Sequence, residues 1–539
     1  MAMYHLNRNG LVWAAVIGMF VLALLSLLNL VFLEFGPWRQ NAIQVDEIYF
    51  ASCAVRGIVA GEIPIAGCHD SKAPLIFVVH QLVQLAASPY SLIAIKAAAY
   101  GVVVVATVLA ALIAYRLSGA MAGVVAAALL LLALTADASL LALKTETVGG
   151  VFMLIGANFL IGSHVRHRSW LASGFFLGLA MATKQTFVFA ALAVVIWSWF
   201  LTSGESVSQR LRCFLFNMFC FGVGLIAPLA AFFFVFLLQG RHIEYLASLF
   251  LYPTIYGGGQ DMPWIKATAW RAASVLESLG KFPILAASLA AAIAGSIQDW
   301  SQDRTEVGPS LKGYRLVVSM TLAMLLIAFV SPIYFAYHLV PSWILMAILG
   351  GIVIGELEEM SFDGPRRGAR FLAAGIVTFS LVSAATSWYS NGGRNKATTL
   401  DRPEAFINDG RGQYAYVLGM WPSFYVYNDL VPASRILFPW ALPGNPVNWA
   451  YKPPGPNSVR GQVLTRLHSA NLQQLFEDFR HTPPKYIIVS HKITKPGGLS
   501  QATEVPGFDA YLLEHCVYKG EAPEYLSLGQ SLYNCRGIK

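Results

Sequence analysis

The sequence predicts a polytopic α-helical membrane protein that ends in a small α/β domain outside the membrane. Three observations support this fold class. Of the 539 residues, 56% are hydrophobic and only 12% are charged, whereas a soluble domain carries about 25% charged residues. Apolar runs of membrane-spanning length recur along residues 1–389. Residues 390–539 are instead rich in Pro, Asn and charged side chains, so they are predicted to form a separate domain.

About eleven segments are predicted to cross the bilayer, because each is an apolar run that carries few charged residues. The first exceeds the apolar core of a signal peptide and no cleavage site follows it, so it is predicted to be retained. In chain order the segments are Leu11–Leu33, Ser91–Tyr115, Gly119–Ala136, Glu146–Gly162, Trp170–Thr183, Thr186–Thr202, Cys213–Leu238, Lys281–Ile297, Leu316–Val330, Tyr334–Ile354 and Phe371–Trp388.

The basic residues predict the orientation of these spans. If the N-terminus is cytoplasmic, every inner loop contains Arg or Lys, as the positive-inside rule requires. This arrangement places the C-terminal domain in the periplasm and accounts for the net charge of +8. No basic run with interleaved aromatic residues indicates nucleic-acid binding. The sequence therefore predicts a multi-pass protein of the bacterial inner membrane.

Two large loops, 34–90 and 239–280, are predicted on the outer face, and both are assigned to the transmembrane domain. The first contains Pro74–Ala87, an apolar stretch too short to span, which is predicted to be a helix lying in the membrane interface. In the tail, Tyr414–Leu418 and Tyr486–Val489 are strand-like, and Ala470–Arg480 has helical spacing.

The cysteines fall into three local pairs. None of the pairs has the spacing of metal ligands. Two pairs lie in polar stretches outside the predicted spans, where disulfides and free thiols both remain open. The third pair is apolar in context and is predicted to pack as small core residues. The polar pairs are Cys53 with Cys68 and Cys516 with Cys535, and the apolar pair is Cys213 with Cys220.

The first outer loop carries the strongest chemical signal. Asp46 and Glu47 follow the first span, and His69, Asp70 and Lys72 precede the interfacial helix. At a membrane surface, a carboxylate could act as a base and a lysine could bind a lipid-linked anion. A helix cap explains the carboxylate pair equally simply, and snorkelling of the lysine at the interface explains Lys72.

Several short motifs occur in an order that resembles the GT-C glycosyltransferases, in particular the protein O-mannosyltransferases and the lipid A aminoarabinose transferases. The chain departs from the family pattern at Cys68–Ser71 and at Gln185, which stands where relatives have Pro. The motifs are Asp46-Glu47, Lys72-Ala73-Pro74-Leu75, Lys144-Thr145-Glu146, Gly178–Gln185, Tyr334–Pro341 and, in the tail, Gly419–Tyr425 and Pro432–Arg435.

The resemblance implies a GT-C-like fold and roles for individual residues. Asp46 is expected to be the catalytic base, with Glu47 beside it. Substrate-binding roles are expected for Lys72 and Lys184 at the carrier phosphate, for Glu146, Tyr337 and His338 near the sugar or phosphate, and for Asp70 and His69 beside Lys72. No cofactor is certain, although Asp46, Glu146 and His338 could bind a divalent metal ion.

The implied activity is inverting transfer of a sugar from a polyprenyl-phosphate carrier, such as undecaprenyl phosphate. The acceptor could be lipid A within lipopolysaccharide, another lipid-linked glycan or a protein. A transporter or flippase of lipid-linked sugars is the alternative, although such proteins place polar residues near the midplane and often contain repeats. A scaffold that presents the tail is a third hypothesis, but it does not require so many ionisable residues on one side.

Overall fold

The computed structural model describes most of the chain in segments. These are residues 45–61, 68, 72–135, 141–161, 166–202, 206–251, 264–280, 283–301, 309–330, 336–359, 407, 411–419, 423–437, 442–443, 457–492, 505–525 and 528–535. His69 and Asp70, and the predicted spans Leu11–Leu33 and Phe371–Trp388, lie outside the described residues. So does the predicted domain boundary at residue 389, which stays a prediction.

Residues 45–359 form helices wherever secondary structure is described. They are α1 (Val45–Val59), α2 (Leu75–Ala86), α3 (Leu92–Thr135), α4 (Thr145–Leu160), α5 (His167–Thr183), α6 (Val188–Leu201), α7 (Val207–Leu238), α8 (His242–Leu246), α9 (Trp264–Gly280), α10 (Pro283–Ser301), α11 (Pro309–Leu325), α12 (Ile327–Val330) and α13 (Val340–Glu359). Short 3-10 turns cover Gln185–Phe187 and Ala336–Leu339, and a π-helical turn covers Ala247–Leu251.

Helices lie over the nine predicted spans that fall within the described residues. Among those residues, three helices are long and apolar enough to cross a membrane, or four if one bent pair counts as a single span. The longest, α3, breaks at Ser118 and Gly119, where the φ of +81° at Gly119 suits a residue without a side chain. This break falls between the second and third predicted spans. The predicted total of eleven spans stays a prediction.

Contacts divide the chain into two compact units. Unit 1 contains residues 1–40, 99–231 and 263–396, and unit 2 contains residues 41–98, 232–262 and 397–539. This grouping differs from the sequence-based division, because much of both predicted outer loops clusters with the tail.

Unit 1 has an apolar core in which two helices approach very closely. Gly174 and Gly178 of α5 face the backbone of α7 at Phe221 and Leu225, and a Cβ atom at either glycine would overlap that backbone. Small residues allow this approach in membranes, where van der Waals packing drives helix association. The glycines therefore fix the position of α5, which ends just before Lys184.

The tail in unit 2 is a small α/β structure. Its sheet has the strand order β2-β1-β3-β5-β4, with β1 parallel to β2 and β3, and with β5 antiparallel to β3 and β4. The predicted strands and the predicted helix are all present. The elements are β1 (Tyr414–Leu418), α14 (Ser423–Tyr427), β2 (Val431–Pro432), α15 (Val459–His481), β3 (Tyr486–Lys492), α16 (Phe508–His515), β4 (Cys516–Tyr525) and β5 (Leu528–Cys535).

Two disulfides are present in unit 2. One joins Cys53 of α1 to Cys68, and the other joins Cys516 and Cys535 across the β4–β5 pair. Cys213 and Cys220 are free thiols that are partly buried.

The predicted interfacial helix α2 buries polar as well as apolar side chains, and it exposes two leucines. His80 and Gln84 are buried, whereas Leu82 and Leu85 are each 61% exposed. Phe50 of α1 packs against the ring of His80. The two exposed leucines are three positions apart and therefore lie on one face of the helix.

Candidate functional site

The N-terminus of α4 presents Lys144, Thr145 and Glu146. The chain turns here because the Thr147 hydroxyl donates to the carbonyl of Ala142 at 3.0 Å, and the backbone N–H of Lys144 donates to the Thr147 hydroxyl at 3.3 Å. Lys144 and Glu146 are 4% and 3% exposed. A carboxylate in the first turn also interacts favourably with the helix dipole.

Lys184 stands at a break between two helices. It takes an extended conformation directly after α5, and its backbone N–H still donates to the carbonyl of Ala180 at 3.0 Å. The 3-10 turn Gln185–Phe187 then leads into α6. The break lets the side chain enter the bundle, where Lys184 is 7% exposed.

Tyr337 and His338 lie in the 3-10 turn that precedes α13. Their rings form an edge-to-face pair with centroids 4.9 Å apart. His338 is buried and Tyr337 is half-buried. The turn thus places one imidazole and one phenol at the start of a long apolar helix.

These segments converge on one group of side chains, which we call the polar cluster: Lys144, Glu146, Lys184, Tyr337 and His338. The Lys184 ammonium forms an ion pair with Glu146 Oε1, and the hydroxyl of Thr145 donates to Oε2 at 2.8 Å. His338 Nε2 lies 3.9 Å from Glu146 Oε1. Four predicted residues from three separate motifs therefore lie together in unit 1.

An aromatic ring links the two lysines of the polar cluster. Lys144 Nζ lies 4.2 Å from the centroid of the Tyr337 ring, and Lys184 Nζ lies 6.0 Å from the same centroid. Both distances are within the range of cation–π attraction. The Tyr337 ring thus helps to hold two ammonium groups near one point.

A glycine permits the close approach of the helices that carry the polar cluster. A Cβ atom on Gly149 of α4 would overlap the ring of Phe187 and the hydroxyl of Thr183, the residues on either side of the Lys184 break. Glu146, one turn earlier on α4, can therefore reach Lys184.

Unit 2 holds the other predicted site residues that the structure describes. Glu47 is fully buried in the first turn of α1 and pairs with Lys96 Nζ at 2.9 Å. Its neighbour Asp46 is half-buried. Lys72, also half-buried, lies just before α2. The Cys53–Cys68 disulfide ties α1 to the segment that leads to Lys72.

Two lysines are additions to the predicted site. Lys144 stands two residues before Glu146 in the Lys144-Thr145-Glu146 motif, in which only Glu146 was expected to bind substrate. Lys96 is a single cation inside the predicted span Ser91–Tyr115, and an ionisable residue in such a span is a functional candidate by default. Both signals were present in the sequence, but the partners of these lysines are distant along the chain.

The described residues contain no group of three or more His, Cys, Asp or Glu side chains that could hold a metal ion. Of the residues predicted as a metal set, Glu146 and His338 lie together in unit 1, and Asp46 belongs to unit 2. The metal set stays a prediction.

Solved structures share the overall architecture. ArnT from Cupriavidus metallidurans bound to undecaprenyl phosphate aligns with a TM-score of 0.54 and 13% identity, over 97% of this chain and 98% of that chain. Its apo structure aligns with a TM-score of 0.52 and 14% identity, over 90% and 93%. The chain has the GT-C fold.

The two ArnT alignments confirm the resemblance to GT-C proteins at the level of the fold. The archaeal oligosaccharyltransferase AglB from Archaeoglobus fulgidus aligns with a TM-score of 0.45 and 11% identity, over 93% of this chain and 72% of that chain. No family model matches the sequence, and no curated protein matches it significantly.

Proposed function

We propose that this GT-C protein is an inverting glycosyltransferase that uses a polyprenyl-phosphate sugar as its donor. Transfer takes place at the periplasmic face of the inner membrane, to lipid A, another lipid-linked glycan or a protein. The observation that carries the proposal is the polar cluster, because two lysines and one carboxylate are buried together at helix ends in an apolar bundle.

The charge of the polar cluster suits the chemistry of a phosphate leaving group. Lys144, Lys184 and Glu146 together carry one net positive charge. A cation in a low-dielectric site stabilises the negative charge that develops on the departing phosphate far better than a cation in water does. Lys72, which lies just before α2, keeps its expected role as a phosphate-binding lysine.

Asp46 is assigned as the general base. Its carboxylate takes the proton from the acceptor hydroxyl while that oxygen attacks the anomeric carbon. The bond between the anomeric carbon and the phosphate oxygen breaks, and its electron pair leaves with the polyprenyl phosphate. Glu47 is assigned a supporting role, since its carboxylate is engaged by Lys96.

The donor class draws further support from the fold, because a protein of the same architecture has been crystallised with undecaprenyl phosphate. The shared architecture therefore supports a donor that is linked to a lipid carrier in the membrane.

The decisive experiment is a transfer assay in nanodiscs with a panel of undecaprenyl-phosphate sugars and candidate acceptors. Wild-type protein should release undecaprenyl phosphate and form a product with inverted anomeric configuration by NMR. Asp46→Asn should lower turnover by at least about 100-fold without changing the melting temperature. Movement of the intact donor across the bilayer without product would favour the flippase, and normal turnover in Asp46→Asn would remove the base assignment.

The periplasmic assignment has its own test. In spheroplasts, a protease added from outside should remove an epitope tag fused after Lys539, since the positive-inside pattern places the tail outside. A tag placed before Met1 should survive until the membrane is disrupted. Protection of the C-terminal tag would reverse the topology.

A further inference from the structure

One face of α1 packs against α2 through aromatic rings. The centroid of the Phe50 ring lies 5.4 Å from that of Phe77 and 5.5 Å from that of His80. The Tyr49 ring lies 6.4 Å from the Phe77 ring. All four side chains are buried, and buried aromatic pairs of this kind contribute both apolar area and a preferred geometry. These contacts therefore fix which face of α1 points at α2.

The same face of α1 carries Asp46 and Cys53. Residues at positions i, i+3, i+4 and i+7 share one face of a helix, and Asp46, Tyr49, Phe50 and Cys53 have this spacing. Glu47 points about 100° away from Asp46, and its ion pair is with a lysine of α3. The packing of α1 on α2 thus directs Asp46, and not Glu47, toward the side of α1 on which α2 lies.

The Cys53–Cys68 disulfide attaches the chain before α2 to this face of α1. The two cysteines are 0% and 8% exposed, so the bond is shielded from solvent. Lys72 follows Cys68 by four residues and precedes the start of α2 at Leu75 by three. Four residues span at most about 14 Å when fully extended. The disulfide on one side and α2 on the other therefore limit how far Lys72 can move from α1.

We infer that the Cys53–Cys68 disulfide is a positioning element for the transfer reaction, because it holds the segment of Lys72 against the face of α1 that carries Asp46. The inference rests on the proposed function, in which Lys72 binds the donor phosphate and Asp46 takes the proton of the acceptor. The disulfide itself does not touch the reacting atoms.

Inverting transfer explains why the two groups need a fixed separation. The attacking hydroxyl and the leaving phosphate lie on opposite sides of the anomeric carbon, so a base and a phosphate-binding lysine must act from the two ends of one line. A displacement of about 1 Å at such a site can cost about 100-fold in rate. A covalent link between the two segments restricts this displacement.

The second disulfide of unit 2 provides a matched control. Cys516 and Cys535 join β4 to β5, two strands that already pair with each other in the sheet. Neither strand carries a residue that is expected to bind substrate or to act in catalysis. The two disulfides close loops of similar length, with sequence separations of 15 and 19, so loss of either should lower the stability by a similar amount.

The first test compares two double variants in the transfer assay, with a melting temperature for each. Cys53→Ala combined with Cys68→Ala should lower kcat/KM for the donor about 10- to 100-fold. Cys516→Ala combined with Cys535→Ala should keep wild-type turnover, although both proteins melt at a lower temperature than wild type. Equal turnover in the two double variants would overturn the inference.

A variant of Lys72 separates positioning from a general loss of structure. Binding of undecaprenyl phosphate, and of neutral undecaprenol, is measured by native mass spectrometry. Lys72→Met should weaken binding of undecaprenyl phosphate in wild-type protein. The same substitution should have a much smaller effect when Cys53 and Cys68 are both alanine, because the lysine is then no longer held in place. Fully additive losses would contradict the positioning role.

Reduction of folded protein gives the answer even if the variant without the Cys53–Cys68 disulfide does not fold. In the protein with Cys516→Ala and Cys535→Ala, treatment with a phosphine should reduce Cys53 and Cys68, which alkylation and mass spectrometry verify. Binding of undecaprenyl phosphate should then fall, and reoxidation with diamide should restore it. Unchanged binding after verified reduction would overturn the inference.

The outcomes separate this inference from the proposed function. If wild-type protein does not distinguish undecaprenyl phosphate from undecaprenol, the proposed donor class is wrong. If wild-type protein distinguishes them, but loss of the Cys53–Cys68 disulfide changes neither donor binding nor turnover, the inference is overturned and the proposed function stands.

Discussion

Two adjacent carboxylates of α1 have different environments. Successive side chains on a helix point about 100° apart, so the side chains of Asp46 and Glu47 lie in different environments. Glu47 is fully buried against Lys96, whereas Asp46 is half-buried. A consecutive acidic pair in a sequence thus combines one structural carboxylate with one that is assigned to chemistry.

The buried pair of Glu47 and Lys96 should behave as a unit. Removal of one partner leaves an uncompensated buried charge, which costs about 3 kcal/mol or more. We expect Glu47→Gln and Lys96→Met each to lower the melting temperature in detergent, and the double variant to recover most of the loss. Single variants that melt like wild type, or a fully additive double variant, would show that the pair is not coupled.

At the scale of elements, glycines position the helices that carry the site. Gly178 belongs to the same motif as Lys184, Gly178–Gln185. The structure gives the physical reason for a glycine at this position. The glycine lets α5 pack on the backbone of α7 near Leu225 and Pro228, and α5 ends at the Lys184 break. The Gly178–Gln185 motif, which contains the expected substrate-binding residue Lys184, is therefore also a packing motif.

Helix α7 offers two glycines for a matched comparison. A Cβ atom on Gly224 would overlap the backbone at Leu171 and Phe175, whereas one on Gly222 would meet open space. We expect Gly224→Val to destabilise the protein by about 1–3 kcal/mol and to reduce transfer by displacing α5. Gly222→Val makes the same change in helix propensity and should do neither. Equal melting temperatures for the two variants would refute the packing role.

At the scale of the whole molecule, unit 2 joins segments that are far apart in sequence. Arg56 of α1 donates to the carbonyl of Pro432 at 2.9 Å and lies 3.8 Å from Asp478 of α15. The hydroxyl of Tyr90 donates to the carbonyl of Leu430. The first predicted outer loop and the tail therefore share buried polar contacts.

Asp478 should make the stability of unit 2 sensitive to acid. Burial acts to raise the pKa of its carboxyl, but Arg435, Arg56 and hydrogen bonds from Arg435 N–H and Ser434 outweigh burial and hold the pKa below its ordinary value of 3.8. A lowered folded-state pKa stabilises the protein above the unfolded pKa, and this contribution disappears as the pH falls through the folded pKa.

We therefore expect wild-type protein to lose stability on acidification below about pH 4, and Asp478→Asn to lose less over the same interval. At pH 7, Asp478→Asn should be less stable by about 3 kcal/mol, because Arg56 keeps a buried charge. Thermal unfolding from pH 7 to pH 3 measures both effects. Parallel pH profiles for the two proteins would contradict the assignment.

The sequence by itself determined the helices of the predicted spans within the described residues, the two parallel strands Tyr414–Leu418 and Tyr486–Val489, and the short motifs of the polar cluster. Apolar length and periodicity are local properties, and so are helix ends. The sequence did not predict β4, which contains Lys, Gly, Glu and Pro. Pairing with β5, and a disulfide between the two strands, accompany that strand in the structure.

Only the tertiary structure decided which ionisable groups meet. Lys96 lies 49 residues from Glu47, and Pro432 lies 376 residues from Arg56. Lys144 was visible beside Glu146, but its place over the Tyr337 ring depends on a helix almost 200 residues later. A buried charge requires a partner. The local sequence pattern does not show which distant segment of the chain supplies that partner.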